Sequence, residues 1–299
     1  MADEPFFSLV VPTYNRGHLI KKTLNSLLIQ TWSSYEIIVV DDGSQDDTEA
    51  VVASLNSPRI LYFKKENAER AAARNYGVQR ARGDYINFFD SDDIALPNHL
   101  ANAAQMVQKN DSPEWLHLGY AVVTPENETI RQVNAYHGDT LQPYFANGNP
   151  LSCNGVFLRK DVINATKFNE DRDLSGSEDY ELWYRLAALY PLYYSNEITS
   201  WVVDHESRSV RTMDVNRLIK RLDLLLFYLR QDHQVQKVFR ANFNVTEASI
   251  YLYLALHVSD IRASKIKGMC FLTKAFCRNL NVIFQRTFYA TIRNIFLKW

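Results

Sequence analysis

Asp90, Ser91, Asp92 and Asp93 stand in a row at the end of the apolar run in DYINFFDSDD. Carboxylates this dense repel one another. The arrangement becomes favourable when a hard divalent cation, Mg²⁺ or Mn²⁺, neutralises them while holding substrate phosphates. A solvated acidic turn capping a helix that starts near Pro97 is the competing reading, because Asp favours such positions. A second acidic pair, Glu178-Asp179, lies in SGSEDYELWYRL, where a loop runs into an amphipathic helix with Leu182, Trp183, Leu186 and Leu189 spaced to face inward. Acidic residues also suit a helix N-terminus for dipole reasons alone.

Placing these groups requires a scaffold, and the first hundred residues describe one. Phe7–Val11 is an apolar run that ends at Pro12, and Ile20, Leu24, Leu27 and Leu28 follow at helical spacing. Ile37–Val40 is a second buried strand, closed by Asp41-Asp42-Gly43-Ser44, a turn that opens a helix over Asp46–Leu55. Ile60–Phe63 is a third strand, a helix through Ala71–Ala81 comes next, and Tyr85–Phe89 is the fourth. Short continuous apolar strands alternating with amphipathic helices predict an α/β fold whose mostly parallel sheet is covered on both faces. Ligands of such sheets bind beyond the carboxyl ends of the strands. The chain puts its polar residues there: Thr13-Tyr14-Asn15 after the first strand, Asp41-Asp42 after the second and Asp90–Asp93 after the fourth.

The ordered segments VVPTYNR, VVDDGSQDDT, ARNYGVQRARGDYINFFDSDD and SGSEDYELWYRL resemble the inverting family 2 glycosyltransferases of GT-A fold, over about Ser8 to His205. The resemblance implies a nucleotide-sugar donor, with UDP as the favoured nucleotide. Pro12, Thr13, Tyr14 and Asn15 would line its base and ribose, and Asp41 or Asp42 would accept the imide N–H of uracil, which a carboxylate can do. Arg74 in AARN would face the nucleotide, or else be a plain surface arginine. Asp90 and Ser91 would lie near the ribose or sugar, and Asp92 and Asp93 on the metal, which stabilises the leaving diphosphate as a Lewis acid. Inversion needs one base opposite the leaving group; the family places it at the second residue of the acidic pair, Asp179, with Glu178 in support. His205 in WVVDHESRS is either an ordinary histidine or a ligand of the metal or diphosphate, imidazole suiting Mn²⁺ better than Mg²⁺. Ser207, Arg208 and Arg211 would be diphosphate partners on the same loop. One departure stands out: the family often has a glycine after the residue equivalent to Asn67, and this chain has Ala68 and Glu69.

Composition narrows the setting. The chain has 299 residues, 46% of them hydrophobic, enough for one large domain plus an appendage, placed at residues 1–210 and 211–299. A net charge of −1 gives no global attraction to nucleic acid. Cys153, Cys270 and Cys277 are odd in number and lack metal-site spacing, which fits a reducing cytosolic compartment. MADEPFF enters the first strand without a signal-peptide layout. Neither a GxGxxG nor a GxxxxGK[ST] loop is present, which weakens dehydrogenase and kinase readings.

Beyond residue 210 the pattern turns helical, with Leu218, Leu222, Leu225 and Leu229 as one stripe. Ile261–Trp299 holds eight Lys or Arg and no Asp or Glu, interleaved with aromatic residues. Leu280, Phe284, Phe288, Ile292 and Ile295 are expected on one helical face, opposite Arg286 and Arg293. This is too charged for a spanning helix. It reads as a basic amphipathic helix on an anionic membrane surface, or as a helix packed on the catalytic domain or a second subunit. The expectation is therefore a metal-dependent transfer of sugar to a glycan or lipid-linked glycan at the cytosolic membrane face, in cell-surface polysaccharide or glycoconjugate synthesis. A sugar-nucleotide pyrophosphorylase and a non-catalytic glycan- or nucleotide-binding module are the alternatives.

Overall fold

The computed structural model describes residues 4–133, 145–146, 148–206, 214–259 and 264–296. Strands β1 (Phe7–Thr13), β2 (Tyr35–Asp41), β3 (Ile60–Lys64) and β4 (Tyr85–Phe88) are joined by helices α1 (Gly17–Leu28), α2 (Thr48–Ala53) and α3 (Glu69–Arg80). They pair in parallel in the order β3-β2-β1-β4. Because β1 alternates faces, Leu9 and Val11 join a core with α1, while Val10 joins a core on the other side with Ala73 of α3. The sheet is thus buried on both faces, as continuous Val/Ile strands require. Pairing of β1 with β4 ends at Val10, so Pro12 lies beyond it, where its missing N–H costs no ladder bond.

The second half is mixed. After β5 (Ile94–Ala95) and α4 (His99–Lys109) come β6 (Trp115–Val123), β7 (Thr129–Val133), β8 (Val156–Arg159), α5 (Lys160–Thr166), α6 (Glu178–Leu189) and β9 (Tyr193–Val203). β8 inserts antiparallel between β4 and β6, β6 runs parallel to β9, and β5 and β7 pair antiparallel with β9 and β6. The chain reverses its winding direction between β1 and β4, which makes their carboxyl ends the crevice where ligands of such sheets bind.

Helices α7 (Val215–Gln231), α8 (His233–Phe239), α9 (Phe243–Ser259), α10 (Lys265–Arg278) and α11 (Arg286–Phe296) complete the described chain. Leu218, Leu222, Leu225 and Leu229 are all buried, in the same core as Trp183 and Tyr184 of α6. The expected boundary between residues 210 and 211 lies outside the described residues. Two expectations fail in detail. Leu189, at the last turn of α6, is 47% exposed and does not face inward. The Leu280–Ile295 stripe is not one helical face: Asn279 ends α10, a 3₁₀ turn spans Leu280–Phe284, and α11 then turns Ile295 inward while Phe284 stands 79% exposed.

Candidate active site

The loops after β1 and β2 are laced together. Asn15 takes a left-handed conformation (φ 51°), which Asn tolerates better than most residues. Its N–H donates to Ser44 Oγ at 2.8 Å, and its Oδ1 accepts from Gln45 N at 2.8 Å. Gly43 (φ 86°) makes the turn below it, and a Cβ there would sit 3.2 Å from Asn67 N, so only glycine suits both the conformation and the space. Asn15 is therefore a turn residue whose side chain is engaged by the neighbouring loop.

Of Asp41 and Asp42, the structure separates the roles. Asp41 is fully buried; its carboxylate accepts from Ser44 N at 2.7 Å and from the Tyr62 hydroxyl. Asp42 accepts from Ala68 N and the Lys65 ammonium and faces a cleft of about 450 Å³. Pro12, Thr13, Tyr14, Asp42, Arg74, Asp90, Ser91 and Asp92 all line that cleft. Tyr14 is 48% exposed, an aromatic plane open to a base. Thr13 Oγ1 is buried without a protein hydrogen-bond partner.

Asp92 and Asp93 likewise diverge. Asp93 is buried, and its oxygens accept from Val203 N at 2.9 Å and Asn154 Nδ2 at 3.0 Å. It thus fastens the end of β9 beside β4 and is directed into the fold, not toward the cleft. That fastening brings His205 Nε2 to 3.0 Å from Asp92 Oδ2. Among the described residues no group of three or more His, Cys, Asp or Glu converges as a metal cage. Asp92 and His205 form an open two-donor site instead, which fits a cation completing its shell with phosphate oxygens and water. Arg208, with Ser207 and Arg211, lies outside the described residues.

Arg74 is neither a surface residue nor free for a phosphate. Nearly fully buried over the Phe168 ring, it donates from Nη1 to Glu178 Oε1 at 2.6 Å and from Nη2 to Asp90 Oδ1 at 2.8 Å. One guanidinium thus joins the acidic segment after β4 to the one that opens α6. Burial works against ionisation of Glu178, but Arg74, Arg70 and the Gly176 N–H prevail and hold its carboxyl below the usual range. Asp179 has no cation in direct contact. Burial, then the charge of Glu178, pushes it up to about 6, against the more distant Arg74 charge and the Tyr180 N–H, which lower it. Its oxygens accept from Asn149 Nδ2 at 3.0 Å and Tyr180 N at 2.7 Å, with the Cys153 thiol 3.9 Å away. Glu178 and Asp179 do not line the 450 Å³ cleft themselves; Arg74 connects them to it.

Sequence reasoning missed Arg16, Asn67, Glu69 and Arg70, which line the cleft. Arg70 was discoverable: it precedes Arg74 by one helical turn, and its Nε lies 4.0 Å from Glu178 Oε1. In the Ala68-Glu69 stretch that follows Asn67, Glu69 takes φ 73°, the left-handed region that costs a non-glycine residue about 1–2 kcal/mol. Ser175 Oγ donates to its carboxylate at 3.0 Å, and Arg172 and Arg217 lie within 4 Å of it.

Residues 8–119 match the model of glycosyl transferase family 2. An Escherichia coli protein named as a UDP-Glc:α-D-GlcNAc-diphosphoundecaprenol β-1,3-glucosyltransferase, WfgD, is 31% identical over 60% of this chain and 69% of its own. The chain spans about a third of the length of relatives in Rickettsia felis and Rickettsia conorii, both described only as uncharacterized glycosyltransferases, with 33% of each covered. Among solved structures, Staphylococcus aureus TarS 1-349 in complex with UDP-GlcNAc superposes with a TM-score of 0.65 at 15% identity, over 98% of this chain and 93% of that one. The mannosyltransferase PcManGT of Pyrobaculum calidifontis, solved with GDP-Man and Mn²⁺, gives 0.63 at 17% identity, over 100% and 89%. These likenesses establish the fold as GT-A type.

Proposed function

The chain belongs to glycosyl transferase family 2, and from that premise we propose that it is an inverting glycosyltransferase taking a sugar from a nucleotide-sugar donor, UDP-linked in the favoured case. The observation that carries the reading is Arg74: by holding Asp90 and Glu178 together it sets a donor cleft beside a carboxylate suited to proton transfer. Tyr14 offers its face to the base, and Asp42 accepts the uracil imide. Asp92 and His205 hold the divalent cation, Mn²⁺ or Mg²⁺, which when bound supplies charge neutralisation of the departing diphosphate.

Asp179 is the base. With its proton affinity raised to about 6 it is ionised at neutral pH yet basic enough to accept a proton. It takes the acceptor hydroxyl proton as that oxygen bonds to the anomeric carbon. The bond from that carbon to the diphosphate breaks on the opposite side, so the configuration inverts.

The acceptor is a glycan or a lipid-linked glycan, as the name of the Escherichia coli relative supports, and the protein works at the cytosolic membrane face. None of the described helices is long and apolar enough to cross a membrane. Isothermal calorimetry with UDP and GDP, in Mn²⁺ and in EDTA, tests the donor side. Tighter UDP binding with Mn²⁺ is expected, and equal affinity in EDTA overturns the cation site. Failure of both nucleotides to bind overturns the donor reading.

A further inference from the structure

Thirteen large apolar side chains are exposed among the described residues, and seven of them fall between Ile266 and Phe296. Three of these, Ile266, Met269 and Phe276, lie on α10. Gly268, Phe271 and Ala275 face inward, and Gly268 lets the helix approach so closely that a Cβ there would meet Ser259 Cβ at 2.9 Å. On the outer face Ile266, Met269, Cys270, Thr273, Phe276 and Cys277 recur at the spacing of a single helical stripe. Ile266 is 74% exposed, and in the 3₁₀ turn that follows α10 Leu280 at 62% and Phe284 at 79% also stand open to solvent. An apolar face this open on a soluble surface marks a docking site.

Charge decides the occupant. Lys267, Lys274 and Arg278 follow one shoulder of the stripe, with Lys274 over the Tyr251 and Phe271 rings and Arg278 paired to Glu247, and the whole Ile261–Trp299 segment carries eight Lys or Arg and no acid, in a chain whose net charge is −1. A second copy meeting this face about a two-fold axis would set cations against cations. An anionic lipid surface matches both the apolar stripe and its basic shoulder.

We propose that the outer face of α10 and the turn after it, Ile266 to Phe284, is the surface by which this protein lies on an anionic bilayer. The helix rests flat, with Ile266, Phe276 and Phe284 among the acyl chains and Lys267 at the headgroups. This deepens the membrane part of the proposed function, but its test needs neither donor nor acceptor, so the two readings fail separately.

The protein supplies its own probe sites. Cys270 and Cys277 are exposed on the stripe and Cys153 is buried. The full chain carrying Cys277→Ser, labelled at Cys270 with a polarity-sensitive fluorophore, should shift to the blue with vesicles containing phosphatidylglycerol. It should not shift with phosphatidylcholine alone, and high salt should reverse the shift. Ile266→Glu and Phe284→Glu, both at exposed positions, should each weaken partitioning about tenfold or more. Lys267→Gln should weaken it about fivefold. Equal partitioning into phosphatidylcholine, or no response to either vesicle, overturns the proposal. So does a blue shift that grows with protein concentration in the absence of lipid while sedimentation shows a dimer, which would assign the face to a second copy.

Discussion

The acidic segment after β4 and the one that opens α6 solve the same problem differently. Each sets carboxylates side by side, and each turns one into the scaffold and leaves its neighbour for chemistry. After β4, Asp93 is consumed by Asn154 and Val203 N, and Asp92 faces His205. At α6, Glu178 is consumed by Arg74, and Asp179 keeps only neutral donors, Asn149 Nδ2 and Tyr180 N. The contrast lies in the countercharge. Asp90 shares the Arg74 guanidinium and Asp92 has a histidine at hand, which suits carboxylates gathered around a cation. Asp179 has burial and a like charge instead, which suits a carboxylate that exchanges a proton.

The sharpest way to break this contrast is at Asp179. Asp179→Asn should lower turnover by about 10²–10⁴-fold, the range for loss of a general base. Nucleotide affinity measured by calorimetry should stay close to wild type, since Asp179 does not line the donor cleft. Substantial retained transfer would shift the base to another group and erase the difference between the segments. Arg74→Met comes next. Removing a buried cation from between two carboxylates leaves their charges uncompensated, at a cost of about 3–5 kcal/mol read by urea unfolding. A loss under 1 kcal/mol would mean that the two segments are positioned independently.

Much of this was legible from residue types and spacing, and the misses have physical causes. The parallel half, the alternating cores of β1 and the Leu218–Leu229 stripe follow from periodicity, which is local. Which member of each acidic pair turns inward depends on partners far along the chain: Tyr62 for Asp41, Val203 and Asn154 for Asp93. Arg74 read as a nucleotide contact or surface residue because Glu178, its principal partner, is 104 positions away. The expected stripe over Leu280–Ile295 assumed an unbroken helix, which Asn279 and its 3₁₀ turn interrupt. The Ala68-Glu69 stretch is the reverse case, since its lack of glycine was visible in the sequence, and the structure shows Glu69 in the left-handed region that glycine adopts freely.

Within the segment after β4, the division between neighbours can itself be tested. Asp93→Asn keeps size but removes one acceptor from two buried donors. It should cost about 1–3 kcal/mol in unfolding free energy. Asp92→Asn should leave the unfolding midpoint nearly unchanged and abolish the gain in UDP affinity that Mn²⁺ provides. If the two variants exchange these phenotypes, Asp93 is the ligand and Asp92 the structural residue.

The smallest expected effect is the most direct measure of the contrast, because it reads proton affinity without any substrate. Asp179 ionises near pH 6 in the folded protein and near the ordinary 3.8 when unfolded. The folded state therefore binds this proton more tightly. Protonation contributes stability that is fully present below about pH 3.8 and is lost as the pH rises through about 6. Glu178 and Asp90 raise the proton affinity and Arg74 lowers it, so the net sign tests whether burial and like charge outweigh the guanidinium. Asp179 is partly open to solvent, which reduces the expected contribution to on the order of 1 kcal/mol. Unfolding free energies of wild type and Asp179→Asn between pH 4 and pH 8 isolate it, because other titrating groups cancel in the difference. Wild type should lose stability relative to the variant as pH rises from 4 to 7, the window in which the base becomes competent and turnover should climb. A flat difference would mean that burial and the neighbouring carboxylates do not outweigh Arg74 at Asp179, and the contrast between the two segments would be lost.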